Sequence, residues 1–352
     1  MRKWNIRFGV AAACASALAL GACGGDGGSP SEDGGLESEM VLGFYGGVIG
    51  DAFREVFVNE CSRSLGVDIV YEEDFDAPRM TKMLSGASDI DVAVFTDPIL
   101  PEVREAGLTR PLPLDDIPNY AQVPDAYKSE DSVAVSVAVW GITYDKSQVQ
   151  PAPTSWTDLL DDRYAGKVTA SDITYNSSYL TLAAFESIAG GDMTANLAPG
   201  FELMKQLREN SPTFWASSSD MLQQLQSGAV VMSPFANGST AIAAREPGGE
   251  NIAFVAPEEG AYPVGFNMVI SADAGSPNAA AAFINCVLDP ENQAAWVEKY
   301  PSFPANTQAE IPDEARQWLG GVEDVADLVV VNWDEIVGAR DAIVEQWQRE
   351  IS

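Results

Sequence analysis

Residues Val133–Val168, VAVSVAVWGITYDKSQVQPAPTSWTDLLDDRYAGKV, divide the chain. Val133, Val135, Val137 and Val139 alternate with Ala134, Ser136, Ala138 and Trp140, the period-two pattern of a strand with two different faces. Pro151 and Pro153 bar its continuation. Ser155, with Asp158 three residues on, forms a capping box that predicts a helix starting at Trp156. Gly166-Lys167-Val168 reads as a turn into a further strand. Strand, linker, helix, strand is the order of an α/β lobe, so the chain is expected to leave one lobe here and begin another.

Toward the N-terminus, Met40 to Tyr45 is an apolar strand running into Gly46-Gly47, where backbone can approach a ligand closely. Phe53, Val56, Phe57 and Cys61 fall at helical spacing, and Val67 to Tyr71 predicts a second strand, completing a βαβ unit. Glu72-Glu73-Asp74 follows, then a helix with Met80, Met83 and Leu84 on one face, for which Asp76 is placed to act as the cap. Asp91 to Phe95 is a third strand, ending in Thr96-Asp97-Pro98. Ligands of open α/β sheets bind outside the carboxyl ends of the strands, so Tyr45, Asp74, Asp76, Thr96 and Asp97 are candidates for one rim. Asp76 and Asp97 are equally readable as simple helix caps. Leu112 to Tyr120 reads as an extended surface connection.

Toward the C-terminus, Asp172 to Tyr179 joins the strand at Val168 to a helix reaching roughly Ile188, and Asn176, Ser177 and Ser178 are N-cap residue types. A helix N-terminus facing a cleft favours an anion or carboxylate. Ser219 opens a helix that Gly228 closes. Val230 to Ser233 then delivers Pro234-Phe235-Ala236-Asn237-Gly238-Ser239, and Val264 to Ile270 predicts a second crossing strand that carries Phe266 and Asn267. Trp140, Tyr175, Ser177, Phe235, Asn237, Phe266 and Asn267 therefore join the candidate ligand set. Glu335 to Ser352 reads as one amphipathic terminal helix using Ile336, Ala339, Ile343, Trp347 and Ile351.

Gly-Ile-Thr-Tyr-Asp at 141–145, Pro-Thr-Ser-Trp-Thr-Asp-Leu-Leu at 153–160 and Tyr-Ala-Gly-Lys-Val at 164–168 resemble the crossover of extracellular solute-binding proteins of the spermidine/putrescine-binding type. Pro257-Glu258-Glu259-Gly260 and Tyr300-Pro301 with Asn306 are similar to later motifs of that family, in the same order. The resemblance implies an α/β, two-lobed periplasmic-binding-protein fold of type II with a cleft between lobes. It implies lobe 1 at 40–136 and 262–310 and lobe 2 at 137–261 and 311–352, with hinges near Val137 to Gly141 and Gly260 to Phe266. It also implies solute capture without catalysis or cofactor, and delivery to ABC transporter permease subunits by a monomer. Two positions depart from the polyamine binders: Ala236 stands where their aromatic would be, and Asn267 where an aspartate would take an amine. Ala236-Asn237 also cannot supply the adjacent tyrosines of related iron binders, so no metal is expected.

Arg2, Lys3 and Arg7, the apolar run Phe8 to Leu20 and Leu20-Gly21-Ala22-Cys23 read as a signal peptide (1–22) ending at a lipidated Cys23, with a Gly/Ser/Asp-rich tether over 23–39. The protein is then expected on the extracytoplasmic face of a membrane, held by its lipid anchor. The full chain has 20 basic and 52 acidic residues, net −32; losing the three basic residues before Cys23 leaves net −35. Such a surface repels nucleic acid and anionic lipid. Histidine is absent, which removes Ser-His-Asp and Cys-His nucleophilic machinery. Cys14 departs with the signal peptide, leaving Cys61 and Cys286 as the thiols of an oxidising compartment; the resemblance puts their helices in one lobe, and a disulfide is expected, with two free buried thiols as the alternative.

The solute expected is small, organic and amine-bearing, held by Asp74, Asp76 or Asp97, with Tyr175, Phe235 and Phe266 as apolar walls. Zwitterionic or anionic solutes such as an opine or aminophosphonate are the alternative, since the helix start at Asn176 to Ser178 suits an acidic group. Two rival classes remain: an enzyme built on Asp74 with Asp76 or Asp97, and a sensor or adhesion lipoprotein on the same fold.

Overall fold

A computed structural model describes residues 35–352; the signal segment, Cys23 and most of the tether lie outside them. The strands that matter are β1 (Glu39–Phe44), β2 (Asp68–Glu73), β3 (Val92–Thr96), β4 (Ser132–Asp145), β5 (Met232–Ala236), β6 (Ile252–Val255) and β7 (Tyr262–Ser271). β1 lies between β2 and β3, parallel to both, while β7 runs antiparallel to β3 and to the first part of β4. β5 and β6 instead pair with the second part of β4.

β4 is therefore common to two groups of strands, which form the two lobes. The changeover falls at Trp140, whose register partners are Tyr262 of β7 and Ala236 of β5. The Val/Ala alternation predicted two different faces, yet thirteen of the fourteen β4 residues are buried. The small face is covered as well: Trp296 donates its indole N–H to Ser136 Oγ at 2.9 Å, and Gln293 donates to the Val135 carbonyl at 2.9 Å. Small residues at 134, 136 and 138 make room for that indole rather than facing water.

Besides a single turn at Asp313–Arg316, the helices are α1 (Gly47–Phe53), α2 (Asn59–Leu65), α3 (Asp76–Ser85), α4 (Leu100–Glu105), α5 (Ser178–Ala189), α6 (Ala198–Asn210), α7 (Ser218–Gln226), α8 (Asn237–Arg245), α9 (Pro277–Val287), α10 (Pro290–Lys299), α11 (Trp333–Gly338) and α12 (Arg340–Glu350). A π-helical turn over Arg54–Val58 joins α1 to α2. Cys61 on α2 and Cys286 on α9 form the expected disulfide, with Cα atoms 5.9 Å apart. Aromatic rings run from that core toward the cleft: Phe53 and Phe57 meet Trp296, Trp296 stacks on Tyr300 at 5.1 Å, and Phe266 bridges Tyr300 and Tyr45 at 6.1 and 5.9 Å.

Several local expectations change. The Ser155/Asp158 capping box is present, but it opens a 3₁₀ segment, Trp156–Leu160, rather than an α-helix. Val168 makes a single parallel bridge to Met232, because the chain turns away at Asp172 toward α5. Leu112 to Tyr120 contains 3₁₀ turns at Leu114–Asp116 and Pro118–Gln122. Ser217, not Ser219, caps α7. The terminal helix breaks at Gly338-Ala339 into α11 and α12, of which α11 packs on α4 and α12 on α6. The C-terminal segment thus bridges α4 and α6, and Arg340 donates to the Pro98 carbonyl at 2.9 Å and pairs with Glu102 of α4.

Candidate functional site

The carboxyl ends of β1, β2 and β3 bring Tyr45, Asp76 and Thr96 together around one carboxylate. Asp76 does not cap α3: the N-cap is Phe75, and no side chain closes that end. Asp76 is buried, and its Oδ1 accepts from the Tyr45 hydroxyl while its Oδ2 accepts from the Thr96 hydroxyl. Arg79, one turn along α3, lies 3.6 Å from Oδ1. That guanidinium is fully buried, donates to the carbonyls of Val94 and Asp74, and lies 4.9 Å over the Tyr45 ring; its Nε has no partner among the described residues. Burial, then the adjacent Asp76 charge, push the Tyr45 hydroxyl well above its ordinary pKa, so Tyr45 stays a proton donor.

A residue of the other lobe completes the cluster. Asn176, just before α5, donates its side-chain N–H to Asp76 Oδ2 at 2.8 Å and approaches Thr96 Oγ1 at 3.2 Å. Sequence reading had Asn176 only as a helix-cap residue. The N-cap of α5 is Ser177, whose side chain makes no capping bond.

Asp97 supplies a second carboxylate beside the first. Its Oδ2 accepts from the Gly265 N–H and its Oδ1 from the Asn267 amide, each at 2.7 Å. Burial raises its pKa, opposed by those two donors, while the Asp76 charge adds to the rise. Asn267 thus serves Asp97 within lobe 1. Asp74 is turned away from this group: its carboxylate pairs with Lys82 at 2.5 Å.

On the lobe 2 side, Trp140, Phe235 and Trp215 form a buried aromatic wall, with Tyr175 edge-on to Trp215 at 4.7 Å and its hydroxyl 3.0 Å from Ser218 Oγ. Trp140 donates its indole N–H to Thr181 of α5 at 3.1 Å. Phe266 lies between Tyr45 and Tyr300. Asn237 is placed differently from expectation. It is fully buried, accepts from the Val139 N–H at 2.8 Å and donates to the carbonyls of Pro301 and Trp318, so it ties β4 to the later loops.

Arg79 and Tyr300 were missed in the sequence. Arg79 stands three residues after Asp76 on one helix, a spacing that favours an ion pair; Tyr300 had been noted only as part of a motif. A separate surface hollow of about 450 Å³ involves Arg104 and Asp131, but this arginine is already bonded to that carboxylate at 3.0 Å.

A family profile described as "Bacterial extracellular solute-binding protein" matches residues 58–318. A gamma-aminobutyric acid-binding protein of Pseudomonas aeruginosa is 27% identical over 304 residues, covering 80% of this chain and 82% of the relative. Among solved structures, an ABC transporter substrate-binding protein from Bradyrhizobium japonicum superposes with TM-score 0.77 at 21% identity, covering 90% of this chain and all of the other. The spermidine/putrescine substrate-binding protein of Streptococcus pneumoniae gives TM-score 0.71 at 20% identity, with 90% and 100% covered.

Proposed function

Because the chain belongs to the bacterial extracellular solute-binding proteins, and so binds a solute of an ABC transporter rather than transforming one, we propose that its ligand is a small amine-bearing solute of the ω-amino acid kind. The observation that carries this is the Asp76 cluster. Asp76 is paired with one guanidinium, that of Arg79, and Asp97 beside it is in no salt bridge among the described residues, while Asp74 is neutralised by Lys82. The site therefore has the charge complement for one ammonium. The facing wall, Trp140, Tyr175, Asn176, Ser177 and Phe235, carries no charged side chain, and α5 begins there. A second ammonium would find no carboxylate on that side, whereas a ligand carboxylate would meet a helix N-terminus. This favours a zwitterion over a polyamine, and the similarity to a gamma-aminobutyric acid-binding protein supports it.

Lobe 1 in this reading is 40–136 with 262–310, and lobe 2 is 137–261 with 311–352. They close by bending of β4 near Val137 to Gly141 and of the Gly260 to Phe266 segment. The protein works as a monomer, tethered through a lipid on Cys23, and hands its solute to the permease; a Cys23→Ser form is released from the membrane. A thermal-shift panel of 4-aminobutyrate, putrescine, spermidine and a neutral sugar tests the ligand class, since a ligand of the folded state raises stability by RT ln(1 + [L]/Kd). Stabilisation by 4-aminobutyrate above the diamine is expected; stabilisation by the sugar alone overturns the reading.

A further inference from the structure

We propose that the Asn176 side-chain amide is a built-in stand-in for the ligand's ammonium, holding the two lobes together until an amine displaces it. The inference rests on the amine reading above. Asp76 is an acceptor only, so the end of the Asn176 amide that faces it is the N–H₂ end. Thr96 donates its hydroxyl hydrogen bond to Asp76 Oδ2, so its oxygen remains able to accept. One nitrogen of lobe 2 thus sits 2.8 Å from Asp76 Oδ2 and 3.2 Å from Thr96 Oγ1 of lobe 1, a setting that suits a primary ammonium equally well.

The other partners of Asp76 belong to lobe 1. Tyr45 and Thr96 donate and Arg79 stands beside Oδ1, and these hold the carboxylate in place whether the lobes are open or closed. Asn176 is the variable partner, since it alone of these residues comes from the opposite lobe. An arriving ammonium carries full charge and three donors, where the amide is neutral and brings two. The amine therefore outcompetes the amide for the same oxygens. Asn176 biases the empty protein toward closure and sets a threshold that weak donors, water included, do not cross.

Small-angle scattering of the ligand-free protein provides the first test, independent of ligand identity. Asn176→Ala and Asn176→Asp are expected to raise the radius of gyration of the empty protein, the second because it sets two carboxylates against each other; Ser227→Ala, at the exposed end of α7, is expected to leave it unchanged. Calorimetry with 4-aminobutyrate is the second readout, with Asn176→Ala expected to bind about tenfold tighter once the competing bond to a charged group is gone. Unchanged scattering in both Asn176 variants overturns the proposal, even if wild-type protein binds the amine. Weaker binding in Asn176→Ala likewise overturns it, because the amide would then be a ligand contact and not a surrogate. Opened variants with no response to 4-aminobutyrate or putrescine in any form overturn the amine reading, and the surrogate role with it.

Discussion

Gly265 and Asp97 meet at the crossing between lobes: the Gly265 N–H donates to Asp97 Oδ2 at 2.7 Å, and a Cβ at 265 would lie 2.5 Å from Asp97 Oδ1. The side chain that closes the end of β3 thus rests directly on the backbone of β7, and glycine is required for the approach. Asp97→Ala leaves the Gly265 N–H and the Asn267 amide buried without their acceptor. Unsatisfied buried donors cost about 1–3 kcal/mol each, so Asp97→Ala is expected to lose about 2–6 kcal/mol in urea unfolding. Gly265→Ala is expected to lower stability in the same way, by forcing the carboxylate aside.

The Cys61–Cys286 disulfide closes a loop with a sequence separation of 225 residues. In the chain-entropy account a closure of this length is worth about 5 kcal/mol, and native bridges commonly deliver about 2–5. Cys286→Ser, or wild-type protein unfolded in the presence of reductant, is expected to show a stability loss in that range. Equal urea midpoints with and without reductant would contradict it.

Glu186 supplies a pH dependence located away from the ligand. It is 1% exposed, and neither carboxylate oxygen has a well-formed hydrogen bond among the described residues. Gly200 is held close, since a Cβ there would lie 2.5 Å from the Glu186 carboxyl carbon. Burial pushes its pKa up to about 7; the Gly200 N–H opposes the rise and the Asp192 charge adds to it. The folded state therefore binds more protons than the unfolded chain between about pH 4.5 and 7, and this group's contribution to stability is lost as pH rises through that window. Glu186→Gln is expected to flatten this part of the profile and to stabilise the protein above pH 7 by about 1–3 kcal/mol. The check is urea midpoints of both forms across pH 5 to 8.

What could be read in the chain was what local pattern carries. The Val133 to Val139 alternation locates the strand common to two groups of strands, and Cys61 and Cys286, the two cysteines among the described residues, are bonded to each other. The Asp76 cluster was only half legible, because Asp74 and Asp76 stand two residues apart where β2 gives way to α3. Which of them faces the cleft depends on Lys82 drawing one outward and on Tyr45 and Thr96, from two other strands, receiving the second. Asn237 shows how a motif can also mark a structural tie. Its motif suggested a ligand contact, while its partners, Val139, Pro301 and Trp318, make it a backbone tie between distant segments. Asn176 had the right residue type for a cap, and only the meeting of two lobes gives its amide a carboxylate. The break at Gly338 was likewise hidden, since α11 packs on α4 and α12 on α6 while the apolar spacing runs through both.

The contrast between Asp76 and Asp74 gives a direct test of the site. Asp76→Asn retains the shape and removes the negative charge, leaving the buried Arg79 guanidinium 3.6 Å away without its counter-charge. Two effects are expected in one variant. Breaking a buried pair costs about 3–5 kcal/mol of stability, and loss of the charged acceptor removes amine binding beyond about a hundredfold in Kd. Asp74→Asn loses only a partly exposed pair with Lys82, whose side chain is 44% accessible, so stability is expected to change little and amine affinity to be preserved. Because Asp76→Asn is destabilised, calorimetry should be run at a temperature where circular dichroism shows it folded, with Tyr45→Phe as a milder companion that removes one donor to Asp76 and keeps the charge. Tyr45→Phe is expected to weaken 4-aminobutyrate binding by about tenfold through a less firmly held carboxylate. If Asp74→Asn abolished binding while Asp76→Asn retained it, the recognition site would have to be moved to the outer face of β2 and α3, and the Asp76 cluster reread as structural.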